Sequence, residues 1–214
     1  MSPIARLDGA GVSLGGSPVL RDVDFTLESG EVKGISGPNG SGKTTLIRLL
    51  ATLVRPDGGS GEVLGAELNG TGIFAVRRSI GMIGHQPALI PELTLRENLV
   101  HVSRLSGAGE SKLDQVLEIV GLAQAAARRV EASSFGMKRR VEVAHLLLKR
   151  PRLILLDEAN SGLDESAQDL IGALVKRATS DGGGVVMVSH NHDWLTGECD
   201  TVQTLVMGRL EDSV

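Results

Sequence analysis

Residues Gly37 to Thr44 read GPNGSGKT, which fits the spacing G-x-x-x-x-G-K-[ST]. Glycines at 37, 40 and 42 let a backbone wrap closely around phosphate, with several N–H groups turned inward. Pro38, Asn39 and Ser41 fill the variable positions between them. Lys43 can reach the β- and γ-phosphates of a nucleotide, and the Thr44 hydroxyl can bind Mg²⁺. A strand-like stretch precedes the motif and a helix-like stretch follows it, the context in which it binds phosphate.

A second group of candidates sits where other strands should end. LILLDE puts Asp157 at the end of an apolar run, where a carboxylate is costly unless it binds something. Beside a phosphate loop its expected task is to hold Mg²⁺ through water; a strand-end helix cap is the alternative. Glu158 follows on the opposite side of the strand and is well placed to polarise an attacking water. Gln86 ends SIGMIGHQ and His190 ends VVMVSH in the same manner. Ligands of open α/β sheets bind beyond the carboxyl ends of the strands, so Thr44, Gln86, Asp157 and His190 are expected on one edge. SSFGMKRR, from Ser133, reads as a helix cap followed by a basic helix.

The elements that must carry these residues follow from periodicity. VDFTL alternates as a half-buried strand, EVKGIS runs into the phosphate loop, and KTTLIRLLATLV predicts a helix that stops before Pro56. GEVLG and SIGMIG predict further strands. After Gln86 the pattern turns helical, in LTLRENLVHVSRL, in SKLDQVLEIVGL and from Ser134 onward. Strands return at RLILLDE, GGVVMVSH and TVQTLVMGRL, with a helix over Glu165 to Ala178 between the first two. The reading is a single α/β domain of 214 residues. Its P-loop NTPase core covers about 1–86 and 152–214, and a helical insert covers about 87–151.

Composition narrows the function classes. Hydrophobic residues at 41% with 22% charged give a globular profile. A net charge of −4 offers no general pull toward nucleic acid. One cysteine, Cys199, leaves no internal disulfide framework. The start lacks a charged-then-apolar leader pattern, and LILL and VVMV are strand-sized, far short of a bilayer span. His85, His101 and His192 lack metal-site spacing with any cysteine or carboxylate partner, so no zinc is assigned. Lys138, Arg139 and Arg140 read as solvated cations near a helix end, and Phe25 and Trp194 as packing residues.

Taken in order, these motifs resemble the nucleotide-binding subunits of ABC transporters over nearly the whole chain. The order is P-loop, Gln86, signature, LILLDE, SGLD from Ser161 to Asp164, and His190. SSFGM stands where that family has L-S-G-G-Q. Ser134 and Gly136 match, while Phe135 replaces the first glycine and Met137 the glutamine. The resemblance implies that Gly37 to Thr45 cradles the phosphates of ATP. It also implies that Thr44 and Gln86 ligate Mg²⁺, with Asp157 behind a water. Glu158 would then be the base and His190 the γ-phosphate switch. Ser134, Gly136 and Asp164 would act on the ATP of a second copy or a homologous cassette. A separate transmembrane permease is the implied partner, with the chain cytoplasmic and peripheral on the inner face of the membrane and no role for nucleic acid.

The small size, GHQPALIPELTLRENL and the serine-x-glycine-methionine signature are similar to the haem exporter ATPase of bacterial cytochrome c maturation. Drug-exporter cassettes share much of this pattern and are the alternative, with soluble ABC ATPases such as metal-cluster assembly factors behind them. A nucleotide-binding scaffold with little turnover is the reading from another class, and the presence of both Glu158 and His190 argues against it.

Three other departures concern the chemistry directly. Ala159 replaces the common proline after Asp157–Glu158, and His145 stands where an arginine is frequent. The chain contains no tyrosine, and Leu14 falls near the place where the family stacks an aromatic on adenine. Stacking on an aromatic is worth about 1–3 kcal/mol in nucleic-acid sites. GTP should therefore compete with ATP at comparable concentration in a competition-binding assay. A strong preference for ATP would mean that another residue reads the base.

Overall fold

The computed structural model describes residues 2–107, 110–158 and 165–212. Two sheets and a group of helices make up the structure. The larger sheet has six strands in the order β10-β9-β3-β8-β7-β6. These are β3 (Val32–Ser36), β6 (Ile80–Ile83), β7 (Leu153–Asp157), β8 (Gly184–Val188), β9 (Thr201–Val206) and β10 (Arg209–Asp212). All its pairings are parallel except that of β10 with β9, the edge hairpin. The smaller sheet is antiparallel, with the order β2-β1-β4-β5. Its strands are β1 (Ala5–Leu14), β2 (Ser17–Leu27), β4 (Gly58–Val63) and β5 (Ala66–Glu67).

The parallel strands read as unbroken apolar runs because both their faces are covered. Leu153, Leu155, Val186 and Val188 point into one cluster, with Ile4 just before the smaller sheet, Phe25 and Leu27 within it, and Leu46, Ile47 and Leu50 of helix α1 (Lys43–Leu50). Ile154, Leu156, Val185 and Met187 point the other way, onto the helices α3 (Leu95–Ser106), α4 (Leu113–Ile119), α5 (Phe135–Lys149) and α6 (Glu165–Ser180). Two short helices complete the set, α2 (Ile73–Val76) and α7 (His192–Glu198). Phe25 is buried and Trp194 packs against the second cluster, as packing residues should. Burial also pushes the Cys199 thiol up to about 12, so it stays protonated and inert. Among the described residues no helix is long and apolar enough to cross a membrane.

Three local expectations need correction. The first helix ends at Leu50, four residues short of Val54. Thr52 takes a left-handed conformation, φ 63°, and Arg77 holds it there through the Thr52 hydroxyl at 3.0 Å and carbonyl at 2.7 Å. Strand β1 went unread, because three register shifts against β2 break its alternation. Arg139 is not a solvated cation. It is 1% exposed and forms an ion pair with Glu142 at 2.8 Å. Its neighbour Arg140 is tied down too, donating to Ser166 Oγ at 2.6 Å.

Where α5 packs on α3, the His145 Nε2 is buried without a partner. Burial, with smaller contributions from the nearby charges of His101 and Lys149, pulls its pKa from 6.5 down to about 4. The folded chain therefore binds fewer protons at this site than the unfolded chain between those values. Its contribution to stability is complete above about pH 6.5 and is lost as pH falls toward 4, by about 3 kcal/mol at the lower limit. Urea melts of wild type and His145→Gln from pH 7.5 to 4 should show the stability difference changing by that order. Parallel pH profiles would mean that the imidazole is accessible and titrates normally.

Candidate functional site

The phosphate loop leaves β3 at Ser36 and enters α1 at Lys43. Its shape depends on glycine at two points. Gly37 has φ 145°, and a Cβ there would lie 2.3 Å from the Leu205 carbonyl oxygen. Gly42 has φ 110°, and its Cβ would press on Leu20 and Val19. Gly42 also starts α1 with no side-chain cap and no acid in the first turn, so its N–H groups remain available to an anion. Ser41 carries a buried hydroxyl oxygen with no partner. Lys43 is folded back, with Nζ donating to the carbonyls of Gly37 at 2.7 Å and Pro38 at 2.9 Å.

Thr44 and Asp157 meet across α1 and β7, the hydroxyl donating to Asp157 Oδ2 at 3.0 Å. Asp157 is 4% exposed, and burial raises its pKa; the Thr44 hydrogen bond works against this shift, and the negative charge of Glu158 adds to it. A bound cation would relieve that strain. Hydroxyl and carboxylate oxygens are the donors a hard ion such as Mg²⁺ requires, and the buried Asp157 gains most by its presence, so the residues fit.

Glu158 lies one residue past β7 with φ 53°, its N–H bonded to the Val188 carbonyl at 2.9 Å. That left-handed turn swings its carboxylate toward the end of β8. There the backbone N–H of His190 donates to it at 2.8 Å, and the His190 Nδ1 lies 3.1 Å from both carboxylate oxygens. Ser189 Oγ adds a longer bond of 3.3 Å. The carboxylate is thus largely enclosed, whereas the His190 side chain is 70% exposed.

Asn39, Gly40, Lys43, Thr44, His85, Asp157, Glu158 and His190 line one cavity of about 410 Å³. Pro38, Ser41 and Thr45 belong to the loop and first turn behind it, with Ser41 and Thr45 buried. Gln86 was expected on this edge; it is exposed and does not line the cavity, whereas its neighbour His85 does. The sequence offered one signal for His85, its place two residues past the strand SIGMI, after Gly84.

Ser134 and Gly136 also lie away from the cavity. Ser134 is the N-cap of α5, accepting from the Met137 N–H at 3.3 Å, and the space beside Gly136 is open. Leu14, near the expected place of the base, is 43% exposed at the end of β1. Asp164, with the SGLD stretch, falls outside the described residues, as does Ala159.

The loop before the helices is tied to α5 from within. Arg139 Nη1 donates to the Gly84 carbonyl at 2.8 Å and Nη2 to that of His85 at 3.3 Å, while Glu142 accepts from the Ala88 N–H at 3.0 Å. Burial works against both charges, lowering the Arg139 pKa and raising that of Glu142. Removing one partner would leave the other uncompensated.

Comparison with known proteins agrees with this geometry. A family profile described as ABC transporter matches residues 20–161. The Nod factor export ATP-binding protein I of Rhizobium sp. (strain N33) is 36% identical over 98% of this chain and 70% of its own length. The daunorubicin resistance ATP-binding protein DrrA3 of Streptomyces coeruleorubidus is 34% identical over 95% of this chain and 66% of its own. Among solved structures, the ATP-binding cassette MJ0796, a dimer in a post-hydrolysis state bound to ADP and Pi, superposes with a TM-score of 0.83 at 27% identity. That match covers 97% of this chain and 96% of the other. A glycine-shaped phosphate loop, a Thr44 hydroxyl bonded to the buried Asp157 and this family match support one conclusion: the chain belongs to the ABC transporter family, as an ATP-binding subunit.

Proposed function

We propose that this chain is the ATP-hydrolysing subunit of an ABC exporter, working as a single nucleotide-binding domain. Its α/β core would span about 1–86 and 152–214, with a helical subdomain over about 87–151. The observation that carries the reading is the cavity where the phosphate loop, Asp157, Glu158 and His190 meet. Gly37 to Thr45 would hold the phosphates of ATP. Lys43 would exchange the carbonyls of Gly37 and Pro38 for phosphate oxygens, with no net loss of charge pairing. Thr44 and Asp157 would hold Mg²⁺, and Gln86, which stands outside the cavity here, would have to swing in to join them. When bound, the ion neutralises charge on the phosphates as it develops.

Glu158 acts as general base, accepting a proton from the attacking water. To do so it must be freed from His190, whose ring then turns to the γ-phosphate. The Glu158–His190 contact is therefore the resting arrangement of the catalytic pair. Ser134, Gly136 and Asp164 would complete the site of a second copy or a homologous cassette, which would account for Ser134 and Gly136 lying outside this chain's own cavity. Closure of the two copies would drive a separate transmembrane permease, held against the region after Pro87. This arrangement makes the chain peripheral on the cytoplasmic face of the membrane, with no nucleic-acid partner.

The cargo class follows the relatives. The proteins quoted above are named for Nod factor export and for daunorubicin resistance, and neither of those names concerns haem or cytochrome c maturation. The drug-exporter reading is therefore favoured over the haem exporter, and over a metal-cluster assembly factor.

Glu158→Gln should leave ATP binding intact and slow hydrolysis roughly 10²–10⁴-fold, the worth of a positioned base. Single-turnover phosphate release measures this, and near-normal turnover would remove Glu158 from the role.

Mixing tests the composite site. Ser134→Arg and Lys43→Ala chains should each be inactive. Mixed dimers should regain part of the ATPase rate, because one of their two sites carries neither lesion. Full activity of Ser134→Arg alone would reduce the serine to a helix cap.

A further inference from the structure

The amino ends of β7 and β8 lie at the opposite edge of the sheet from the nucleotide cavity, and a second cavity of about 200 Å³ opens there. Its floor is aliphatic, formed by Leu146 of α5, Ile154 of β7 and Leu174 of α6. Its rim is basic, with Arg150, Arg152 and Arg177 and a single acid, Asp181. It adjoins a second hollow of about 320 Å³ against α4, to which Lys112 adds a fourth cation; Leu147, Arg150 and Arg177 belong to both.

The charges on this rim are unspent. Neither the Arg150 nor the Arg152 side chain has a hydrogen-bonding or ionic partner among the described residues. Arg177 meets Asp181 only at 4.0 Å, with both side chains well exposed. Four cations against one carboxylate is unusual in a chain of net charge −4. Arg150 is further set apart by its backbone. It closes α5 at φ 49°, a left-handed position where glycine is the easier residue, so what arginine adds is its side chain.

We propose that this cavity binds an amphipathic anion of the acyl-carboxylate class. The carboxylate would sit between Arg150 and Arg177, which both hollows share, and the chain would lie on Leu146, Ile154 and Leu174. Guanidinium pairs carboxylate in a bidentate geometry, and the aliphatic floor excludes water from the contact. Inorganic phosphate would leave the floor uncovered, and a neutral alcohol would leave the cations unpaired.

Calorimetric titration of the full chain with octanoate tests the assignment, with 1-octanol, acetate and inorganic phosphate as controls. Octanoate should bind at one site, at least tenfold tighter than octanol, and acetate and phosphate should not saturate. Combining Arg150→Gly with Arg177→Gln should weaken octanoate tenfold or more and leave ATP affinity unchanged. Both changes suit their backbone, the first by relieving a left-handed residue. Should that variant fail to fold, a photoreactive acyl carboxylate on the wild type locates the site independently, with labels expected in 146–154 and 174–183. Equal binding of octanol, unchanged affinity in the folded double variant, labelling elsewhere, or displacement of octanoate by saturating ATP would each overturn the proposal.

Discussion

The parallel register of β3, β8 and β7 is the constraint on which the site depends. Ile35 pairs Val188, and Val188 in turn pairs Asp157, so three strands end at one level. The phosphate loop, Asp157 and His190 leave the sheet at that level together. Each strand is buried on both faces, so a slip of one residue would exchange the two apolar sets between unlike neighbours, one facing α1 and the other the helical side. The same packing that stabilises the sheet therefore fixes the distance between Thr44 and Asp157. Chemistry is confined to one edge because polar groups are affordable only where the apolar strands stop.

At that edge, charges are held by partners that a nucleotide can replace. Lys43 rests on two carbonyls, Glu158 on His190, and Asp157 on a hydroxyl. All of these bonds satisfy buried or half-buried groups without ligand, which keeps the unliganded fold intact. A polyphosphate with its cation offers stronger partners to the same atoms. The site is thus stable when empty and has somewhere to go when filled.

A different kind of polar contact joins the site to the helices. Arg139 and Glu142 are both buried, and between them they bind Gly84, His85 and Ala88. The helix they stand on begins at Ser134, one turn earlier. The loop next to the cavity and the cap of α5 therefore share one rigid element. The Arg139–Glu142 pair thereby fixes the loop at Gly84, His85 and Ala88 against α5, because neither charge can leave its partner cheaply.

Local patterns determined a good deal by themselves. The motif GPNGSGKT announces a phosphate loop because its glycines meet a steric demand that no other residue meets, and LILLDE announces a strand ending in a functional carboxylate. The helices after Gln86 were legible from apolar spacing alone. What the sequence could not decide is which side chains share space. His85 in place of Gln86 on the cavity wall, and Glu158 bent onto His190, result from turns after the strands, where periodicity carries no information. Arg139 looked like any surface cation, because a buried charge is distinguished by its partners on another element. Strand β1 escaped for a similar reason: it is irregular alone and becomes a strand through its pairing with β2 and β4. Residue types and spacing depend on the chain's local geometry, whereas contacts depend on register and burial, which exist only once the whole chain has folded.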